Sequence, residues 1–194
     1  MTPDRPTPAP SDPLVFDQAL ARAPVSVALE VDLPVAPRRA WSALVRVERW
    51  PLWHPGVEVA VLRGDAPAPG VRLDWRADGM RIRSHVLVVD ELHRLEWSLR
   101  MLGGHGAQRW TLTPSPDGAT SVRLEEWWTG LAPRLLRGTL QRTLEVARTA
   151  WLERLRDHVT RNPSSGDPEP PDPEREDPER GERFDGDADS SRVR

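Results

Sequence analysis

The sequence of 194 residues has no cysteine, no tyrosine and no lysine. Without thiols there is no disulfide, no thiolate nucleophile and no cysteine-based metal site, which fits a reducing, cytoplasmic setting. No apolar run reaches the ~18 residues of a membrane-spanning helix. The first twenty residues, MTPDRPTPAPSDPLVFDQAL, lack both the basic start and the apolar run of about 7 to 15 residues that mark a signal peptide. A basic block is missing too. The formal net charge is -3, and residues 163–194 hold 11 Asp or Glu against 5 Arg, leaving 22 Arg against 19 acidic residues in the rest. Counterion release on a phosphate backbone needs clustered cations, so nucleic acid is excluded as an expected partner. Arginine in every place open to lysine reads as the codon bias of a GC-rich genome.

Motifs for several chemistries are also absent. There is no GxSxG elbow, no phosphate loop and no GxGxxG, and Gly103-Gly104 before Gly106 reads as a hairpin turn. His54, His85, His93, His105 and His158 share no ligand spacing, so neither a metal nor a cofactor is expected.

What is present is one domain with two polar ends. Residues 2–13 carry five prolines, and a flexible lead-in is expected over residues 1–22. The stretch from Pro163 to Arg194 is rich in Pro, Gly and acid, with almost nothing to bury against the entropy of ordering. It is expected to be a disordered tail, either solubilising or binding an unidentified protein partner. Residues 23–162 remain as a single folded unit.

Inside that unit Val25, Val27, Leu29 and Val31 alternate with polar or small residues, the period of a strand with one buried face. A short helix is predicted from Ala36 to Arg46, with Trp41, Leu44 and Val45 at helical spacing, and a tight corner over Arg49–Gly56. Six further strands are predicted at Val57–Leu62, Val71–Arg76, Met80–Val89, Leu95–Met101, Gln108–Thr113 and Ser121–Thr129, separated by turn sequences such as Asp78-Gly79 and Asp117-Gly118. Leu136, Leu140, Leu144, Ala147, Trp151 and Leu155 then mark one amphipathic helix from Pro133 to Val159. Arg134, Arg137, Arg142, Arg148, Glu153, Arg154 and Asp157 fall on its other faces. The predicted class is α+β: a seven-stranded curved antiparallel sheet around a long C-terminal helix, with two short helices after the first strand.

Several stretches, in this order, resemble the polyketide cyclase/dehydrase-type members of the START-like (SRPBCC) superfamily. They are Ala36-Pro37 with Trp41, the corner Trp50-Pro51-Leu52-Trp53-His54-Pro55, Gly70 with Trp75, and Gly79 leading to Ile82–Val86. Arg94-Leu95-Glu96-Trp97, Trp110 and Glu126–Gly130 complete the series. The resemblance spans about residues 24–158. It implies the helix-grip fold and a pocket for an apolar molecule such as a lipid, sterol, polyketide, quinone or hormone, with chemistry in only some members. The family pattern leads one to expect Asn where His54 stands.

Following the alternation inward places Trp75, Ile82, Ser84, Val86, Trp97, Leu99, Trp110, Leu112, Leu124, Glu126 and Trp128 on the concave face. Trp53, Leu140, Leu144 and Trp151 oppose them from the corner and the helix. Nine tryptophans without a tyrosine suit a cavity half-lined for a flat apolar ligand, or else rings that simply fill a core. Glu126, between Leu124 and Trp128, must pair or rise in pKa. It is therefore a candidate general acid/base, or a structural acceptor for an arginine. His54, read as an exposed residue on the corner, is a second candidate for proton transfer.

Three functions are compatible with these residues. The first is binding or carriage of an apolar small molecule, and the second a cyclase or dehydratase moving protons through Glu126 and His54. In the third, the acidic tail recruits a partner, and deleting residues 163–194 abolishes association without changing ligand affinity.

Overall fold

Residues 13–161 are described by the structure, a computed structural model. The tail at 163–194 and the start of the lead-in lie outside the described residues.

The alternation read from the sequence produces one sheet. β1 (Val25–Leu33) lies beside β7 (Thr120–Thr129). Then come β6 (Gly104–Pro114), β5 (Arg94–Met101), β4 (Met80–Asp90), β3 (Arg72–Ala77) and β2 (Val57–Leu62). All neighbours are antiparallel, and β2 to β7 follow one another through hairpins. β1 and β2 form the two edges, so the segment between them must cross the whole sheet. It does so as α2 (Pro37–Val45), a 3-10 turn (Val47–Arg49) and α3 (Trp50–Trp53). α2 opens with proline, whose missing N–H is no loss in a first helical turn. The corner is tighter than a loop: Trp50 donates its indole N–H to the Leu44 carbonyl at 3.1 Å and closes the turn.

The Asp78-Gly79 turn joins β3 to β4 with φ of 50° and 75°, the left-handed pair that a two-residue hairpin requires. β6 begins earlier than predicted. Gly104 and Gly106 are ladder residues, and only Gly103, at φ 78°, stays in the turn. At Gly106 a Cβ would fall on the Trp127 carbonyl, so glycine lets β7 approach there.

Two expectations are corrected. Pro13–Arg22, assigned to the flexible lead-in, is a helix, α1, and its Phe16 is fully buried on the convex side of the sheet against Leu87, Ala107 and Trp127. A bulge between Val86 and Val88 turns Leu87 outward, and α1 covers the apolar patch this creates. Arg109 stacks over the Phe16 ring at 3.9 Å and pairs with Asp17 at 2.7 Å, which ties α1 down. The single C-terminal helix is two helices, α4 (Leu131–Leu135) and α5 (Arg137–Arg161). Leu136 leaves helical geometry at φ -110°, and Gly138 weakens helix continuity just beyond it.

α5 runs across the concave face. Its buried residues Leu144, Arg148, Trp151, Leu152, Leu155 and Val159 face the sheet, and the core sits between the two layers.

Candidate functional site

The interior divides into two ends. At the corner end Trp50, Trp53, Trp75, Trp97 and Trp151 meet ring against ring. Trp50 lies 5.7 Å from Trp75, 5.7 Å from Trp97 and 5.4 Å from Trp151, while Trp53 lies 6.1 Å from Trp151, with mostly edge-to-face geometry. Such contacts add to the large apolar area each indole removes from water. Trp75 donates to the Ser84 hydroxyl at 3.1 Å.

At the other end a groove of about 660 Å³ opens between α5 and the ends of β1 and β3–β7. Val25, Ile82, Met101, Trp128, Leu140 and Leu144 give it apolar walls, and Ala77, Asp78 and Met80 close one side. Leu102, 98% exposed on the β5–β6 turn, and Leu136 stand at its mouth.

Of the pocket residues expected from alternation, Ile82, Trp128, Leu140 and Leu144 line the groove. Trp53, Trp75, Ser84, Val86, Trp97, Leu99, Trp110, Leu112, Leu124 and Trp151 do not. They point inward as expected and are buried, but indoles and leucines from sheet, corner and α5 fill the volume between them. Alternation identifies the inward face and carries no information on which part of that face is hollow.

Glu126 is 0% exposed and does not line the groove. Its carboxylate takes four donors: Arg148 Nε at 2.6 Å, Arg148 Nη2 at 3.0 Å, Trp128 Nε1 at 2.6 Å and Gln108 Nε2. Gln108 in turn accepts from Trp110 Nε1 at 3.0 Å. The acceptor sites a general base would use are occupied, so the second expected role, pairing with an arginine, is the one the geometry realises. Arg148 was expected on a polar face of the helix. Instead it is buried on the stripe facing the sheet, four residues from both Leu144 and Leu152. That spacing was visible in the sequence, as was the shared parity of Gln108 with Trp110 on the inward face of β6.

His54 was read as exposed and is 3% exposed. Its ring packs 4.2 Å from Trp151, and Arg154 Nη1 lies 3.2 Å from its Nε2. Burial, with Arg154 and Arg148 nearby, pushes its pKa down to about 4. His54 is therefore neutral at neutral pH. Nε2 accepts from the guanidinium, and the proton sits on Nδ1, which is buried and has no partner among the described residues.

A second depression, of about 530 Å³, lies on the convex side among Arg63, Arg72, Arg76, Arg83 and Asp74. Arg63 and Arg72 bind Asp74 at 3.2 and 2.7 Å and Arg76 pairs with Glu58 at 3.3 Å, exposed pairs on a solvated face that also carries Arg81 and Arg100. Among the described residues no group of His, Asp and Glu has the arrangement of a metal site, and no helix is long and apolar enough to cross a membrane.

Known structures share this architecture. A START superfamily protein from Mycobacterium smegmatis aligns over 70% of this chain and 97% of its own, at 17% identity and TM-score 0.56. The Zhui aromatase/cyclase from Streptomyces aligns over 72% and 96%, at 17% identity and TM-score 0.60. A hypothetical protein from Helicobacter pylori aligns over 82% and 99%, at 13% identity and TM-score 0.68. At these identities the likeness is one of fold, the α+β helix-grip arrangement of sheet and closing helix. No curated protein matches the sequence. The model of the family described as polyketide cyclase / dehydrase and lipid transport matches residues 24–160, nearly the whole of the described chain, and the protein belongs to that family.

Proposed function

We propose that this protein binds and carries an apolar small molecule, of the lipid, polyketide or quinone kind, in the groove between α5 and the ends of β1 and β3–β7. The observation that carries this reading is the groove itself. A volume of about 660 Å³, walled by Ile82, Met101, Trp128, Leu140 and Leu144, has the size and apolar lining of a small-molecule site. The family's description as cyclase, dehydrase and lipid transport is in keeping with such a ligand.

The alternative, a cyclase or dehydratase using the same pocket, needs a proton-transfer group facing the substrate. Glu126 lies behind Arg148 with its oxygens engaged, and the free lone pair of neutral His54 is held by Arg154. Carriage is thus the function the geometry supports better.

The test uses the groove-lining residue Ala147, half-buried on α5. Native mass spectrometry of the purified protein, with extraction of whatever is bound, should recover an apolar compound. The Ala147→Phe variant, whose ring would fill the groove, should bind that compound at least about tenfold more weakly while melting at nearly the same temperature. Unchanged affinity in a folded Ala147→Phe protein would remove the groove as the site.

A further inference from the structure

Among the described residues three arginines line the mostly apolar groove, with His54, Asp78 and Thr143 as its other polar members. Arg148 is 7% exposed and reaches it from the buried stripe of α5, Arg154 reaches it two turns further on, and Arg142 stands on the outer wall. Asp78 is the only acidic residue in the lining, with Glu126 just behind Arg148. Glu126 neutralises Arg148 through Nε and Nη2, which leaves Nη1 without a partner among the described residues. Arg154 has no carboxylate partner there, and its one hydrogen bond goes to a neutral imidazole.

Trp151 holds these groups together. The Arg148 guanidinium lies 5.4 Å from its ring, the His54 ring lies 4.2 Å from it on the corner side, and Arg154 is attached to His54. Burial is the main cause of the depressed pKa of His54, and the charges of Arg154 and Arg148 add to it while Asp78 opposes them. Guanidinium groups with uncommitted donors beside apolar walls are incompletely satisfied, and a planar carboxylate is the group their fork geometry matches.

We propose that the ligand is amphipathic and acidic, an apolar body lying along Ile82, Leu140 and Leu144 with a carboxylate head seated at Arg148 and Arg154. This rests on the groove being the binding site, and it specifies the ligand's chemical class. Asp78 and the bound Glu126 set a limit on the anion's placement, keeping the head toward Nη1 of Arg148 and the Arg154 side chain.

Two matched pairs of probes test it at neutral pH by calorimetric titration: dodecanoate against dodecanol, and anthracene-2-carboxylate against 2-hydroxymethylanthracene. Within each pair the apolar body is constant, so the ratio of affinities reports the head group alone. The acid should bind about tenfold or more tightly than its alcohol in the pair that fits, the scale of a charge-assisted contact. Arg154→Gln should remove most of that preference, weakening the acid far more than the alcohol. The paired substitution Glu126→Gln with Arg148→Gln avoids stranding a buried charge and should remove the rest, with thermal melting as the check on folding. Equal binding of acid and alcohol would overturn the head-group assignment and leave the apolar groove standing. Binding of neither pair would count against the groove itself, and the assignment would fall with it. Full preference retained in both variants would place the anion elsewhere.

Discussion

The two ends of the concave interior are built from the same kinds of residue and do opposite things. At the corner end, five tryptophans, two from α3 and one each from β3, β5 and α5, occupy the space between the layers, mostly edge against face. At the far end, Leu140 and Leu144 of α5 and Ile82, Met101 and Trp128 of the sheet face an opening instead of one another. One curved sheet therefore holds a packed core and a binding groove side by side. Bulky indoles on the corner and on the second half of α5 decide where one stops and the other begins.

The sharpest way to break this comparison is to empty the packed end. Trp50→Ala removes a fully buried ring that touches three other indoles and should cost about 3–5 kcal/mol, read from urea unfolding. A loss below about 1 kcal/mol would mean that this end is not the close-packed half described.

A smaller effect is expected at His54, on the boundary between the halves. Its folded pKa of about 4 lies below the ordinary 6.5, so between these values the unfolded chain binds a proton that the folded protein does not. The stability due to neutral His54 is complete above about 6.5 and is lost as pH falls through 4, on the order of 3 kcal/mol. The advantage of the wild type over His54→Gln in melting temperature should narrow across this window. A constant difference would show that His54 is not held neutral. His158, whose pKa burial, Arg39 and Arg49 also push down, gives the same sign of dependence in both proteins and cancels in the comparison.

The smallest effect belongs to the groove. Leu136→Ala, at a half-exposed position on the mouth, should change stability by less than about 0.5 kcal/mol, yet weaken binding of an apolar ligand several-fold. A large stability loss with unchanged binding would exchange the roles assigned to the two ends.

Much of the fold was legible in the sequence because period-two and helical spacing are local signals. Val25–Val31, the Asp78-Gly79 turn and the stripe of α5 announce their structures without reference to the rest of the chain. What was not legible depends on neighbours distant in sequence. α1 exists because Phe16 meets an apolar patch exposed by a bulge in β4, and neither Phe16 nor the bulge has meaning alone. Glu126 could be recognised as an inward carboxylate, but its role turns on Arg148, 22 residues away and assigned to the wrong face of its helix. Arg148 stands in the Leu144–Leu152 stripe, where a buried cation implies a buried anion. The groove was the least legible feature, since inward-facing residues look the same whether the space before them is filled or empty.

Ligand should enter the groove end and leave the tryptophan-packed end undisturbed. NMR spectra of the nine indole N–H groups and the Ile and Leu methyls, recorded during titration with the bound apolar compound or with dodecanoate, test it directly. Progressive shifts are expected at Trp128, Ile82, Leu140 and Leu144, with Trp50 and Trp97 unmoved. Shifts centred on Trp50 and Trp97, with Trp128 and Leu140 silent, would contradict it.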